Sequence, residues 1–530
     1  MHRPLRVALI APPYPLSEAP SPPLGLAYAA AACAQAGAEV AIFDYIVRRY
    51  TPEKLRRDLD SFEPDVVGAT SVTMNFLAAA DIIREAKRYD PSLVTMMGGP
   101  HVSYDVEGTL SRYPEVDLIV MGEGEKTLTE LLPHIAEKGS WPKIKGIAFR
   151  RGKEIVKTPA RPLIEDLDSL PFPARHLLPM SRYLALGYPV GIITSRGCPN
   201  QCIFCLGRRM VGAKVRPRSP SRVVDEIEEL LGYGFTRINI TDDTFTANKD
   251  RAKAICGEIK RRGAKFVWSA FSRVNTVDPE ILAIMRDVGC DSISFGIESG
   301  NPEMLKRVKK GITVEQARAA IRYCKEAGIG AHASFIVGLP GENPETMNDS
   351  KKLAEELGIQ YGYHMLSPFP GTTVREKIDE YDLEILTDDW NRYDANRAIV
   401  RTSSLSDAEM NRFLDDFLLA IEEAWKEVLK RYEDGTATPE ETFKVDALSR
   451  MELMYKLLSE DVIEEVGPVS PNGREPVGEL ALKIAPLTRF GPDFIARALG
   501  PMAAAGHLKF ETENGNTRWF WTHNKRVDRL

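Results

Sequence analysis

Two long stretches of this sequence switch repeatedly between short apolar runs and amphipathic segments, a rhythm that leaves few folds open. From Leu5 to about Ile135, LRVALIAPP, EVAIFDYI, PDVVGATSV, SLVTMMGGP and VDLIVMGEGE read as strands. GLAYAAAACAQAGA, TPEKLRRDLDSF and FLAAADIIREAKRYD read as helices between them. Such alternation predicts a parallel sheet with helices on its faces. The strands end at Pro12, Ser71, Gly98 and Gly122, and open α/β sheets bind ligands outside those carboxyl ends.

The period is lost over 139–189, where Pro159, Pro162, Pro171 and Pro173 sit among charges around a short hairpin, GIAFRRGKEIVK. A second series starts near Val190: PVGIITS, RINITDD, KFVWSAFS, DSISFGIE, GAHASFIVG and YGYHMLSP are strand-like, with helical segments between. Six βα units fall short of the eight that close a TIM barrel, so a partial barrel, open on one side, is expected. A helix follows over Asp407–Glu433, and then short helices and the hairpin HLKFETENGNTRWFWT, an arrangement like a winged helix. The expected division is 1–138, a linker at 139–189, the barrel at 190–395, a helical extension at 396–435 and the tail at 436–530. At about 150 residues per domain, a length of 530 fits such a division.

Composition narrows the partners. No apolar run approaches the roughly 18 residues of a membrane span, and Leu5–Ile10 is too short for a secretory segment, so the expected location is the cytoplasm. With 69 Lys+Arg against 75 Asp+Glu, the net charge of −6 argues against bulk nucleic-acid binding. Seven cysteines in such a chain do not make a disulfide framework.

Three of the seven, Cys198, Cys202 and Cys205, stand in the run SRGCPNQCIFCLG, spaced C-x3-C-x2-C directly after a predicted strand. Soft thiolates on one loop select an iron–sulfur cluster or zinc. Zinc wants a fourth Cys or His close by, and the nearest histidine in sequence is His176. A [4Fe–4S] cube held by three cysteines keeps one iron open for a ligand. Cys33, Cys256, Cys290 and Cys324 lie in helical or strand contexts and read as buried packing residues.

This loop, with Phe204 before its last cysteine and a βα series behind it, closely resembles the radical S-adenosylmethionine (SAM) superfamily over about Val190 to Pro370. The resemblance implies a [4Fe–4S] cluster whose open iron chelates SAM, reductive cleavage to a 5′-deoxyadenosyl radical, and an electron donor such as ferredoxin or flavodoxin. Carried over residue by residue, Phe204 lies near adenine and Asp242 or Asp243 in TDDTF meets the methionyl ammonium. Arg273 meets its carboxylate, Ser294 and Glu298 contact ribose and methionyl groups, and Ile336 and Gly338 of FIVGLPGE flank adenine.

An α/β domain ahead of the barrel is similar to the cobalamin-binding class of that superfamily. The resemblance implies a Rossmann-like cobalamin-binding domain and contacts from Pro12, Tyr14, Leu24, Gly25, Ser71, Val72, Thr73, Gly98, Gly99, Pro100, Gly122, Glu123 and Gly124. Small residues there let backbone approach the cofactor. The Asp-x-His-x-x-Gly motif of His-on corrinoid proteins is matched by FDYIVRRY, which has Asp44 but no histidine, so ligation by that motif is excluded.

Together these features imply a C-methyltransferase: the radical takes hydrogen from an sp3 carbon, which then takes the methyl of methylcobalamin. No further acid–base residue is expected. A protein or peptide side chain is one substrate class, as in glutamine or arginine methylation of methyl-coenzyme M reductase. Radical cyclisation or rearrangement of a lipid, tetrapyrrole or other small molecule is the alternative. A corrinoid sensor with a nucleic-acid-binding tail is another, with Arg497, Lys509, Arg518, Lys525 and Arg526 on one face. The basic run GRRMVGAKVRPRSP is expected to meet a substrate anion or solvent. In the last strand-like run, Phe520 is expected in the core, with Trp519 and Trp521 packing on other modules.

Overall fold

A computed structural model describes residues 3–470 and 473–523. The first sheet has seven strands in the order β2-β1-β3-β4-β5-β6-β7. Strands β1 (Arg6–Ala11), β2 (Glu39–Asp44), β3 (Val66–Thr70), β4 (Val94–Gly98) and β5 (Leu118–Val120) run parallel. Strands β6 (Ile147–Arg151) and β7 (Glu154–Lys157) join them antiparallel. They are the hairpin expected inside the linker. It instead continues the sheet, with Phe149 opposite Leu118, and so covers the strand edge that β5 would otherwise expose.

Helices cover both faces, and side-chain alternation divides β1 between two cores: Val7 and Leu9 point into one, Ala8 and Ile10 into the other. Small residues set the fit of the first helix, Leu24–Gln35, because Ala27, Ala30 and Ala31 are buried and let its backbone lie close to the sheet.

The second sheet is parallel, in the order β13-β12-β11-β10-β9-β8. Its strands are β8 (Val190–Ile192), β9 (Arg237–Ile240), β10 (Val267–Ser272), β11 (Cys290–Glu298), β12 (Gly330–Val337) and β13 (Gln360–Met365). Ile238, Trp268, Ile293, Phe295, Ala333 and Phe335 are buried under the surrounding helices. Asn239, Ser269, Ser292, Ser294, His332 and Ser334 alternate with them and are only half-buried on the concave face. No ladder joins β8 to β13, so the barrel is partial and open between these edges. Cys33, Cys256, Cys290 and Cys324 are all buried.

Helix Asp407–Glu433 lies against β13, with Phe417 stacked on Tyr361 at 5.5 Å and Phe413 edge-on to Tyr363 at 4.8 Å. The tail has helices Pro439–Ser459, Pro476–Ile484 and Pro492–Ala504 and the hairpin of β14 (Leu508–Glu513) and β15 (Asn516–Trp521). Val469 bridges to Thr517 as a short third strand, giving the winged-helix-like arrangement. Here the expected core residue is displaced: Trp519 and Trp521 are buried and Phe520 is half-buried, since the tryptophan face of β15 turns inward. The tail is docked through Asp461, which accepts from Arg182 at 2.9 Å and pairs with Lys54, and through Ser181 Oγ, 3.0 Å from His507 Nδ1. Lys525 and Arg526 lie outside the described residues. Among those residues, no helix is long and apolar enough to cross a membrane.

Candidate active site between two cavities

The cysteine loop leaves the end of β8 under a tight constraint. Asp242 accepts from the Thr194 and Ser195 N–H groups at 2.6 and 3.0 Å and from both hydroxyls at 2.6 and 2.7 Å. Arg251 Nη2 stands 3.1 Å away. Both Asp242 oxygens thus help hold the strand that leads into the loop, and Asp242 and Asp243 both line the cavity beside the cysteines. Gly197 makes the turn at φ 115°, where a Cβ would stand 2.1 Å from the Lys214 carbonyl, so no other residue fits there.

Each cysteine sulfur faces a donor. Asn200 Nδ2 is 3.3 Å from Cys198, the Gly207 N–H 3.3 Å from Cys205 and Arg273 Nη1 3.8 Å from Cys202. Desolvation, with Cys202 and Asp243 nearby, pushes the Cys205 thiol up to about 11. Among the described residues no three Cys, His, Asp or Glu groups converge on one ion. In a cube each cysteine binds its own iron, and three thiolates on one loop fit that donor set.

The cysteines open into a cavity of about 610 Å³ that also gathers Phe204, Asp243, Arg273, Ser294 and Glu298. Desolvation and the neighbouring Asp242 raise the Asp243 carboxyl above its ordinary value. Glu298 has φ 72° at a register irregularity of β11, a strained conformation for a non-glycine residue. Its Oε1 accepts from Lys310 Nζ at 2.7 Å, and that ammonium lies 5.9 Å from the Phe204 ring centroid. Lys310 was not foreseen; it belongs to the site through space and shares no motif with the strand end it serves. Ser294 is inside β11 rather than at its end. Ile336 and Gly338 are not among the residues that line this cavity. Gly338 donates its N–H to Glu342 at 2.6 Å, and a Cβ on it would stand 3.0 Å from the Met410 sulfur.

A second cavity, of about 300 Å³, lies against the first sheet and takes in Gly25, Gly98, Gly99, Pro100, Gly122, Glu123 and Gly124. A Cβ on Gly25 or Gly122 would have nothing within 4 Å, and the buried Ser71 hydroxyl has no partner. The open space at Gly25 and Gly122 fits a bulky ligand. The other expected contacts, Pro12, Tyr14, Leu24, Ser71, Val72 and Thr73, lie outside its wall. The sheet face itself was missed: Leu9, Gly68 and Met96 share one face of adjacent strands and also line the cavity, as strand parity could have indicated. Asp44 does not line it. Its carboxyl accepts from Tyr183 Oη at 2.7 Å, and its burial raises it to about 6.

A radical SAM superfamily model matches residues 192–354, and a B12 binding domain model matches 17–132. A Pyrococcus horikoshii protein named "Uncharacterized methyltransferase PH0819" is 35% identical, over 74% of this chain and 86% of its own. The chain belongs to the cobalamin-dependent radical SAM methyltransferases. An anaerobic magnesium-protoporphyrin IX monomethyl ester cyclase of Cereibacter sphaeroides is 32% identical to this methyltransferase, over 73% of this chain and 65% of its own. The solved radical SAM methyltransferase TsrM from Kitasatospora setae, with cobalamin and a [4Fe–4S] cluster bound, shares the fold: TM-score 0.65 at 20% identity, over 95% of this chain and all of that one.

The cofactors of this methyltransferase are thus a [4Fe–4S] cluster, SAM and cobalamin. Two groups expected to face small molecules also have partners within the protein. Glu123 accepts from Arg216 at 2.8 Å, Arg196 at 3.2 Å and the Ile164 N–H at 2.8 Å, so it locks the first sheet to the strand before the cysteines. Most of the basic run is paired: Arg209 with Glu376, Lys214 with Glu165, Arg216 with Glu123 and Arg218 with Glu226.

Proposed function

We propose that this enzyme methylates an unactivated sp3 carbon, with Cys198, Cys202 and Cys205 holding the cluster and the first-sheet cavity holding cobalamin. One observation carries the reading: the segment from Ile193 to Val211 is a wall of both cavities. Ile193, Arg196, Met210 and Val211 face the first, and Cys198, Cys202, Phe204, Cys205, Arg208 and Arg209 face the second. When bound, the cluster with SAM supplies a carbon-centred radical and cobalamin a methyl group, and the protein supplies orientation and shielding.

Asp243 receives the SAM ammonium and Arg273 its carboxylate, opposite charges at close range. Glu298, held by Lys310, orients the ribose hydroxyls, and Phe204 lies against the adenine. The substrate enters over the concave face, where Asn239, Ser269, Ser292, Ser294 and Ser334 supply hydrogen bonds without net charge. That wall favours a neutral, hydrogen-bonding group, such as a polypeptide side chain, over a polyanion.

Anaerobic incubation with trideuteromethyl-SAM, cobalamin and a reductant tests the reading. Label is expected in the corrinoid fraction, with S-adenosylhomocysteine as co-product. An unlabelled corrinoid would sink methyl transfer and favour the second reading, radical cyclisation, which the likeness to the Cereibacter cyclase supports.

A further inference from the structure

On the reading that Cys198, Cys202 and Cys205 hold the cluster, the hydrogen-bond donors at their three sulfurs are not alike. Two are neutral: the Asn200 amide at Cys198 and the Gly207 N–H at Cys205. The third is the guanidinium of Arg273, whose Nη1 stands 3.8 Å from the Cys202 sulfur.

Arg273 comes directly after β10 and is only 5% exposed. Its head is fixed from several sides. Nη2 donates to the Lys310 carbonyl and Nε to Asn275 Oδ1 at 3.4 Å, while the Asn275 amide donates to the Gly311 carbonyl at 3.3 Å. A turn closed by the Thr276 N–H on the Arg273 carbonyl, at 3.0 Å, holds the backbone. Among the described residues no carboxylate stands at ion-pair distance from this cation, and Glu298 of the same cavity is taken up by Lys310.

A buried charge without a partner is costly, so the position of Arg273 calls for negative charge beside Cys202. Iron-bound thiolates supply it, and reduction by one electron adds to it. The potential of an iron–sulfur cluster follows its net charge and the hydrogen bonds to its sulfurs, and a fixed cation at close range favours the more negative, reduced form.

We propose that Arg273 sets the reduction potential of the cluster through the Cys202 sulfur, holding it above the value that neutral donors alone would give. In the step concerned, one electron passes from an external one-electron reductant to the cluster, and no bond is made or broken. This role is separate from meeting the SAM carboxylate, since the contacts to Cys202, Lys310 and Asn275 leave an N–H free on each Nη. It operates before SAM has bound.

Anaerobic redox titration of the reconstituted enzyme without SAM, followed by the electron paramagnetic resonance signal of the reduced cluster, tests the proposal. Arg273→Gln is expected to weaken the affinity for the electron about tenfold, which for one electron is a fall of about 59 mV in midpoint potential. Arg273→Lys keeps the charge and is expected to stay near the wild type. Iron and sulfide content shows that each variant carries a full cluster. Where Arg273→Gln retains none, Asn275→Ala is read in its place: the residue is exposed and outside the cavity, and its loss loosens the guanidinium and is expected to lower the potential. A SAM-free potential equal to that of the wild type in the variant read, or a fall in Arg273→Lys as large as that in Arg273→Gln, would overturn the proposal. Failure of the wild type itself to take up iron and give the reduced signal would instead overturn the cofactor reading beneath it.

Discussion

Burial raises the Glu342 carboxyl to about 7, against hydrogen bonds from backbone N–H groups that pull it down. The folded state therefore holds a proton that the unfolded chain releases near 4.5. Stability from this group is fully present below about pH 4.5 and declines as pH rises toward 7, by on the order of 3 kcal/mol. Glu342→Gln is expected to flatten the melting temperature between pH 5 and 8; a slope equal to that of the wild type would contradict this. At the cluster, Cys202→Ala is expected to abolish SAM cleavage and leave corrinoid binding nearly intact, as read by 5′-deoxyadenosine release and by absorbance. Full cleavage by that variant would remove Cys202 from the ligand set. Residues that act through sequence spacing, the three cysteines above all, were legible in the chain. The hold of Asp242 on the loop and the whole of Lys310 were not legible, because both are set by partners reached across space, Thr194 and Ser195 for one and Glu298 for the other.

Elements read as strands by their apolar runs became strands, because a run buried on both sides has little alternative. The hairpin β6–β7 was seen as a hairpin but not as part of the sheet, since its exposed residues carry no mark of the edge they cover. The connection from β8 to the cysteine loop depends on Asp242 in the same non-local way. Asp242→Asn leaves Arg251 buried without its charge partner, a change costing about 3–5 kcal/mol. A lower melting temperature is expected together with substoichiometric iron after reconstitution. Wild-type iron content in a destabilised variant would separate the fold from the loop.

For the whole molecule, the tail acts as a brace. Asp461 binds Arg182 of the connecting segment and Lys54 of the first module, while His507 reaches Ser181. Arg182→Met removes the positive charge between Asp461 and Glu464, and loosening of the tail is expected: faster proteolysis near 435–440 with the first module left intact. An unchanged cleavage pattern would mean that packing alone holds the tail. The closure of the first sheet by β6 and β7 also bears on biosynthesis. That sheet is complete before any strand of the barrel has left the ribosome, yet Ile193, Arg196, Met210 and Val211, which finish its cavity, are made later. A nascent first module therefore offers a half-built cavity, whose wall is finished only when the cysteine loop has folded over it.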